Sequence, residues 1–174
     1  MRRRYLFAVV ALLSCAKSPA RAPGPADAPP AATTDSVVLE RTRCFGACPA
    51  YRLRVSRTGE VVFLSRDPGD PRTAVDTVEK GVADSIAKDA SRLGFFTLPD
   101  SVTPGKLFCT EVATDLPTIT IGVFGSRAKR VVYYLGCMHQ DSVLAGSLRN
   151  LPDLAARIDT LTRAERWIRP IRRP

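Results

Sequence analysis

A chain of 174 residues, 45% apolar and 25% charged, gives a single domain core. Its formal net charge of +9 overstates how basic the body is, since three arginines stand at positions 2–4 and five more, against one glutamate, lie within 163–174. What remains is close to neutral, which argues against a basic face for nucleic acid.

Residues 1–14 read as a signal peptide. Arg2, Arg3 and Arg4 form a basic start, and Tyr5 to Leu13 is an apolar run far too short to span a bilayer as a helix. Leu12-Leu13-Ser14-Cys15 follows directly and resembles the lipobox of bacterial lipoproteins, in which the cysteine is acylated and becomes the mature N-terminus. The alternative is an ordinary signal peptide. With acyl chains, palmitate among them, Cys15 would hold the protein on a membrane at about 0.8 kcal/mol per buried methylene, with no spanning helix. Ala16 stands where many inner-membrane lipoproteins carry aspartate. The expected location is therefore the cell envelope, on the outer membrane and facing the periplasm. Residues 15–36 are rich in Pro and Ala, without apolar periodicity, and read as an extended tether.

The globular domain is expected over 37–168. Val37–Arg41 reads as a first strand. Residues 51–56 alternate apolar and polar, Thr58-Gly59 supplies a turn, and Val61–Leu64 returns as a hairpin. Residues 66–73 read as a loop. Val82, Ile86, Ala90 and Leu93 recur at helical spacing, ending at Gly94, with Phe95, Phe96 and Leu98 set to plug the core. Ile119, Ile121 and Val123, a turn at 125–127, then Val131, Tyr133 and Leu135 predict a second hairpin. Pro152 suits a helix start, with Leu154, Ile158 and Leu161 on one face. Trp167 and Ile168 are expected to dock back on the domain, leaving 169–174 as a basic tail. The sum is an α+β fold: an antiparallel sheet built from hairpins with two main helices on one face.

The stretch RTRCFGACPAYRLRVSRTGEVVF, the helix ending in GFFTL, and TDLPTITI together resemble a bacterial family of envelope lipoproteins known as domain of unknown function 6438. Cys44, Phe45, Gly46, Cys48, Pro49 and Tyr51 carry the first motif; Thr114, Asp115 and Pro117 carry the second. The resemblance spans roughly residues 38–161. It implies a fold and a location but brings no catalytic assignment.

Four cysteines remain after Cys15, an even number in an oxidising compartment, which reads as disulfides. Three pairings are open. If the second hairpin turns near residues 125 and 126, Cys137 lies opposite residues 114 and 115 with Cys109 a few residues further back, which favours a 109–137 bridge and leaves 44–48 as the other. Chain entropy gives about 3–4 kcal/mol for the long loop and about 2 kcal/mol for the short one. Stability alone is thus a weak reason for the close pair, and two alternatives stand beside a structural loop. Cys44 and Cys48 could be a redox pair, or with His139 a copper site. Against both, no helix start is apparent at the motif to lower a thiol pKa, and His139 sits at no diagnostic spacing. Asp141 and Ser142 beside His139 superficially offer hydrolase parts, but neighbours in sequence rarely make a triad. Asp115 with Thr114 reads as a turn former or a polar site. No cofactor is called for. The expectation is a lipid-anchored, non-catalytic binding or structural domain whose partner is an envelope protein or, through the tail, a polyanion.

Overall fold

The strand patterns expected from alternation are present in a computed structural model, which describes residues 32–138 and 142–168. Strands β1 (Thr34–Arg41), β2 (Tyr51–Ser56), β3 (Glu60–Ser65) and β4 (Thr73–Thr77) form an antiparallel meander. Helix α1 (Val82–Arg92) and a 3-10 turn at Phe95–Thr97 lead to the short strands β5 (Ser101–Val102) and β6 (Glu111–Val112). The second hairpin is β7 (Thr118–Gly125) and β8 (Lys129–Tyr134), followed by β9 (Cys137–Met138) and helix α2 (Ser142–Leu161). The main sheet has the order β4-β3-β2-β1-β7-β8-β5, antiparallel except where β5 runs parallel to β8; β6 and β9 pair separately.

Register explains the core. Val123, Val37, Val55 and Val61 lie in one row across the sheet, and Ile121, Leu39, Leu53 and Phe63 in the next. All eight are buried, and Ile86, Ala90, Leu148, Leu154 and Ile158 of the helices join them in one cluster. Each fully buried aliphatic side chain contributes about 1.5–3 kcal/mol. The opposite face carries Arg54 and the Glu40–Arg52 ion pair at 3.3 Å, with both helices on the core side. The fold is the expected α+β arrangement.

Local chemistry sets the ends of α1. Asp84 in its first turn accepts the Thr34 N–H at 2.9 Å, tying the helix to the start of β1. Gly94, at φ 74°, reverses the chain after the last turn, a conformation glycine adopts without penalty.

The structure departs from the expected elements at the start of β1, at β4, at the start of α2 and at the two-residue strands β5, β6 and β9. Strand β1 starts at Thr34. The loop expected over 66–73 is present up to residue 72, and the unexpected strand β4 follows it, its edge closed by Arg163, donating to the Thr77 carbonyl at 2.6 Å, and by an Arg166–Asp76 ion pair. Helix α2 begins at Ser142, and Pro152 lies inside it. Leu148 and Leu151 continue the buried stripe of Ala155 and Ile158 toward the N-terminus, and their burial offsets the hydrogen bond that proline cannot donate. Trp167 packs against Phe63 with ring centroids 5.4 Å apart, so the segment up to Ile168 docks as expected. No described helix is long and apolar enough to cross a membrane.

Candidate functional site

The inward row at one end of the sheet breaks the apolar rule. Continuing from Val37 and Leu39, the next inward position of β1 is Arg41, flanked by Ile119 on β7 and Tyr51 on β2. Its charge is answered by Asp159, which lies on the buried stripe of α2 beside Ile158. Arg41 Nε donates to the Tyr51 hydroxyl at 2.8 Å and its Nη2 to Asp159 Oδ2 at 3.0 Å. The Tyr51 hydroxyl donates to Asp159 Oδ1 at 2.6 Å. Burial first, then the Asp159 charge, pushes the Tyr51 phenol far above its ordinary range, so it stays a hydrogen-bond donor. Burial also holds the Asp159 carboxyl above the usual carboxylate value, against the pull of Tyr51 and Arg41. The Arg41 guanidinium stays charged because Tyr51 and Asp159 outweigh its own desolvation.

The triad lines a cleft of about 290 Å³ whose walls are Cys48, Pro49, Pro117, Ile119 and Ile168. Both sequence motifs therefore meet here. Cys44 and Cys48 are joined by a disulfide, with their Cα atoms 5.5 Å apart. Gly46, at φ 148°, turns the chain so that its N–H reaches the Cys44 carbonyl at 3.0 Å. The loop is stitched to its neighbour: Thr42 N–H donates to the Thr118 carbonyl at 3.0 Å, and Phe45 N–H to the Asp115 carbonyl at 3.1 Å. Asp115 serves as a turn former, in the left-handed region at φ 67°, with its carboxylate accepting from the Thr114 hydroxyl at 3.1 Å.

The second disulfide, Cys109–Cys137, lies in the core and holds the other loop at the same end. Here β6 pairs Val112 with Cys137. The Tyr134 hydroxyl donates to the Ala113 carbonyl at 3.0 Å, and a side chain at Gly136 would collide with that same carbonyl.

These loops expose apolar side chains. Among the described residues eight large apolar side chains stand exposed, and six of them (Phe45, Leu107, Phe108, Val112, Leu116 and Met138) are on the segments these two bridges close or within two residues of a bridged cysteine. Phe45 is 88% exposed and Leu107 81%. Gly46, Thr114 and Asp115 shape the loops without lining the cleft. Cys15, His139 and Asp141 lie outside the described residues, as does the Ser142 side chain. Among the described residues no three His, Cys, Asp or Glu side chains group as metal ligands.

Arg41 and Asp159 carry the site's polar floor and went unremarked in the sequence. Both had a signal: Arg41 falls two residues after Leu39 in an alternating strand, and Asp159 falls four after Ala155 on an apolar helix face. Chemically, the Tyr51 hydroxyl both donates and accepts, and both Asp159 oxygens are bonded. The arrangement suits a rigid recognition floor better than proton transfer.

The fold and site define an α+β domain with disulfide-held loops and a polar-floored cleft at one end of its sheet. The chain belongs to the family described as Domain of unknown function (DUF6438), which it matches over residues 35–155. No curated protein matches it.

Proposed function

We propose that this chain is a lipid-anchored protein of the bacterial cell envelope whose domain is a non-catalytic binding module. In this reading residues 1–14 are removed, Cys15 carries the acyl chains, and the domain faces the periplasm from the outer membrane. The observation that carries the binding role is the cluster of exposed apolar side chains on covalently fixed loops. Loops that keep Phe45 and Leu107 in water give up burial that a flexible loop could recover by folding inward. Fixing them in advance lowers the entropy cost of binding. The partner is an envelope protein with a complementary apolar surface, and the Cys-Phe-Gly-Ala-Cys-Pro motif is the frame of that contact.

One observation favours a second reading, a periplasmic thiol-redox or copper-handling protein using Cys44 and Cys48. That bridge is half-exposed, whereas Cys109–Cys137 is buried. Its copper form would add His139 as a ligand and require the pair to be reduced.

A photo-crosslinking residue placed at Phe45 in the exported chain tests the binding role. Discrete adducts from position 45 in intact cells, absent from position 54 on the open face of the sheet, are expected. Equal labelling from both positions, or none from 45, would contradict it.

A further inference from the structure

The opposite end of the domain holds a larger groove, about 640 Å³, between α1 and the β7–β8 turn. Four basic side chains line it, Lys88, Arg92, Arg127 and Arg157, against two carboxylates, Asp84 and Asp89. Both carboxylates are engaged. Asp84 accepts the Thr34 N–H, and Asp89 lies between Arg92 and Arg157, with Arg157 Nε at 3.5 Å. Lys88 and Arg127 have no carboxylate partner among the described residues. Arg127 instead stacks on Phe96, 4.0 Å from the ring centroid. Stacking fixes the guanidinium plane and leaves its N–H edges free, the geometry that suits two-point hydrogen bonding to phosphate oxygens.

The groove also sits where the chain enters the domain, since Ala32 and Thr33 line it. On the lipid-anchored reading, on which this inference rests, the tether from Cys15 ends at its rim. On that reading lipid headgroups are the source of phosphate that the tether keeps nearby. We infer that this groove is an anion site that docks the domain on phosphate groups of an anionic lipid surface, through Lys88 and Arg127. The end bearing Phe45 and Leu107 is then left for the partner.

The test uses the native full chain reconstituted in vesicles. Energy transfer from Trp167, the single tryptophan, to a headgroup-labelled lipid reports how near the domain lies to the surface. Transfer is expected to rise when phosphatidylglycerol replaces part of the phosphatidylcholine. Lys88→Gln and Arg127→Gln should each lower the docked-to-undocked ratio about fivefold, the factor that corresponds to about 1 kcal/mol per basic residue at an anionic surface. Replacing Arg169, Arg172 and Arg173 by Gln should leave the rise intact, which separates the groove from the tail. Inorganic phosphate should reverse docking where chloride of equal ionic strength does not. Transfer that ignores phosphatidylglycerol, even with phosphate bound, overturns the inference, as does a rise that both groove variants retain. Failure of the anchor itself reads out separately, as a chain that does not float with the vesicles, and it removes the basis of this inference too.

Discussion

Asp159 is the residue on which the end of the sheet depends. It answers both the guanidinium of Arg41 and the hydroxyl of Tyr51 within an apolar setting. Removing one partner from a buried charged group leaves the other uncompensated, a loss of about 3–5 kcal/mol. Asp159→Ala should therefore lower the urea-unfolding free energy by that amount, and a loss below about 1 kcal/mol would show the triad to be peripheral. The phenol of Tyr51 gives a second prediction. Its folded pKa is raised above the unfolded value of about 10, so its contribution to stability is fully present below that pH and is lost as pH rises through the folded value. In an alkaline titration followed by tyrosinate absorbance, Tyr51→Phe should leave the amplitude up to about pH 10 unchanged. A smaller amplitude in the variant at that pH would mean the phenol is open to water. Asp159 works with the same sign at acid pH. Burial raises its carboxyl, so its share of stability is greatest below the ordinary aspartate range and declines as pH rises through the folded value.

At the scale of elements, the two bridges differ in what they hold. Cys109–Cys137 closes a separation of 28 residues and is buried in the core, whereas Cys44–Cys48 closes a separation of 4. Chain entropy assigns about 3–4 kcal/mol to the first and about 2 kcal/mol to the second. Replacing both cysteines of each pair by alanine should reproduce that order in thermal unfolding; the reverse order would contradict the packing described. Elements with a strong period were legible in the sequence: both hairpins, and α1 with its stop at Gly94; the register of the second hairpin in turn favoured, among three pairings, the one that is present. Those that tertiary context decides were not. Strand β4 reads Thr-Ala-Val-Asp-Thr, with too few apolar residues to announce itself, and it exists because β3 offers it an edge. Strands β5, β6 and β9 have two residues each, too short for any period. Pro152 resembled a helix start because its chemistry favours that position, but the leucines at 148 and 151 carry α2 past it. At the site, the motif residues were legible, but the convergence of Arg41 and Asp159, 118 positions apart, needed the fold.

For the whole molecule, the two ends of the sheet have opposite character. One presents apolar side chains on loops tied by both disulfides; the other presents an excess of basic groups where the chain enters the domain. As a fixed display rather than a reacting pair, the proposed role of the Cys44–Cys48 loop requires a bridge that stays closed. Trapping the thiols of the exported chain with an alkylating agent, then mapping the bridges by mass spectrometry before and after mild reductant, tests it most directly. Bridges 44–48 and 109–137 should both be fully formed and retained. Free or readily reduced thiols at Cys44 and Cys48, with the fold intact, would contradict it and make that loop a redox centre.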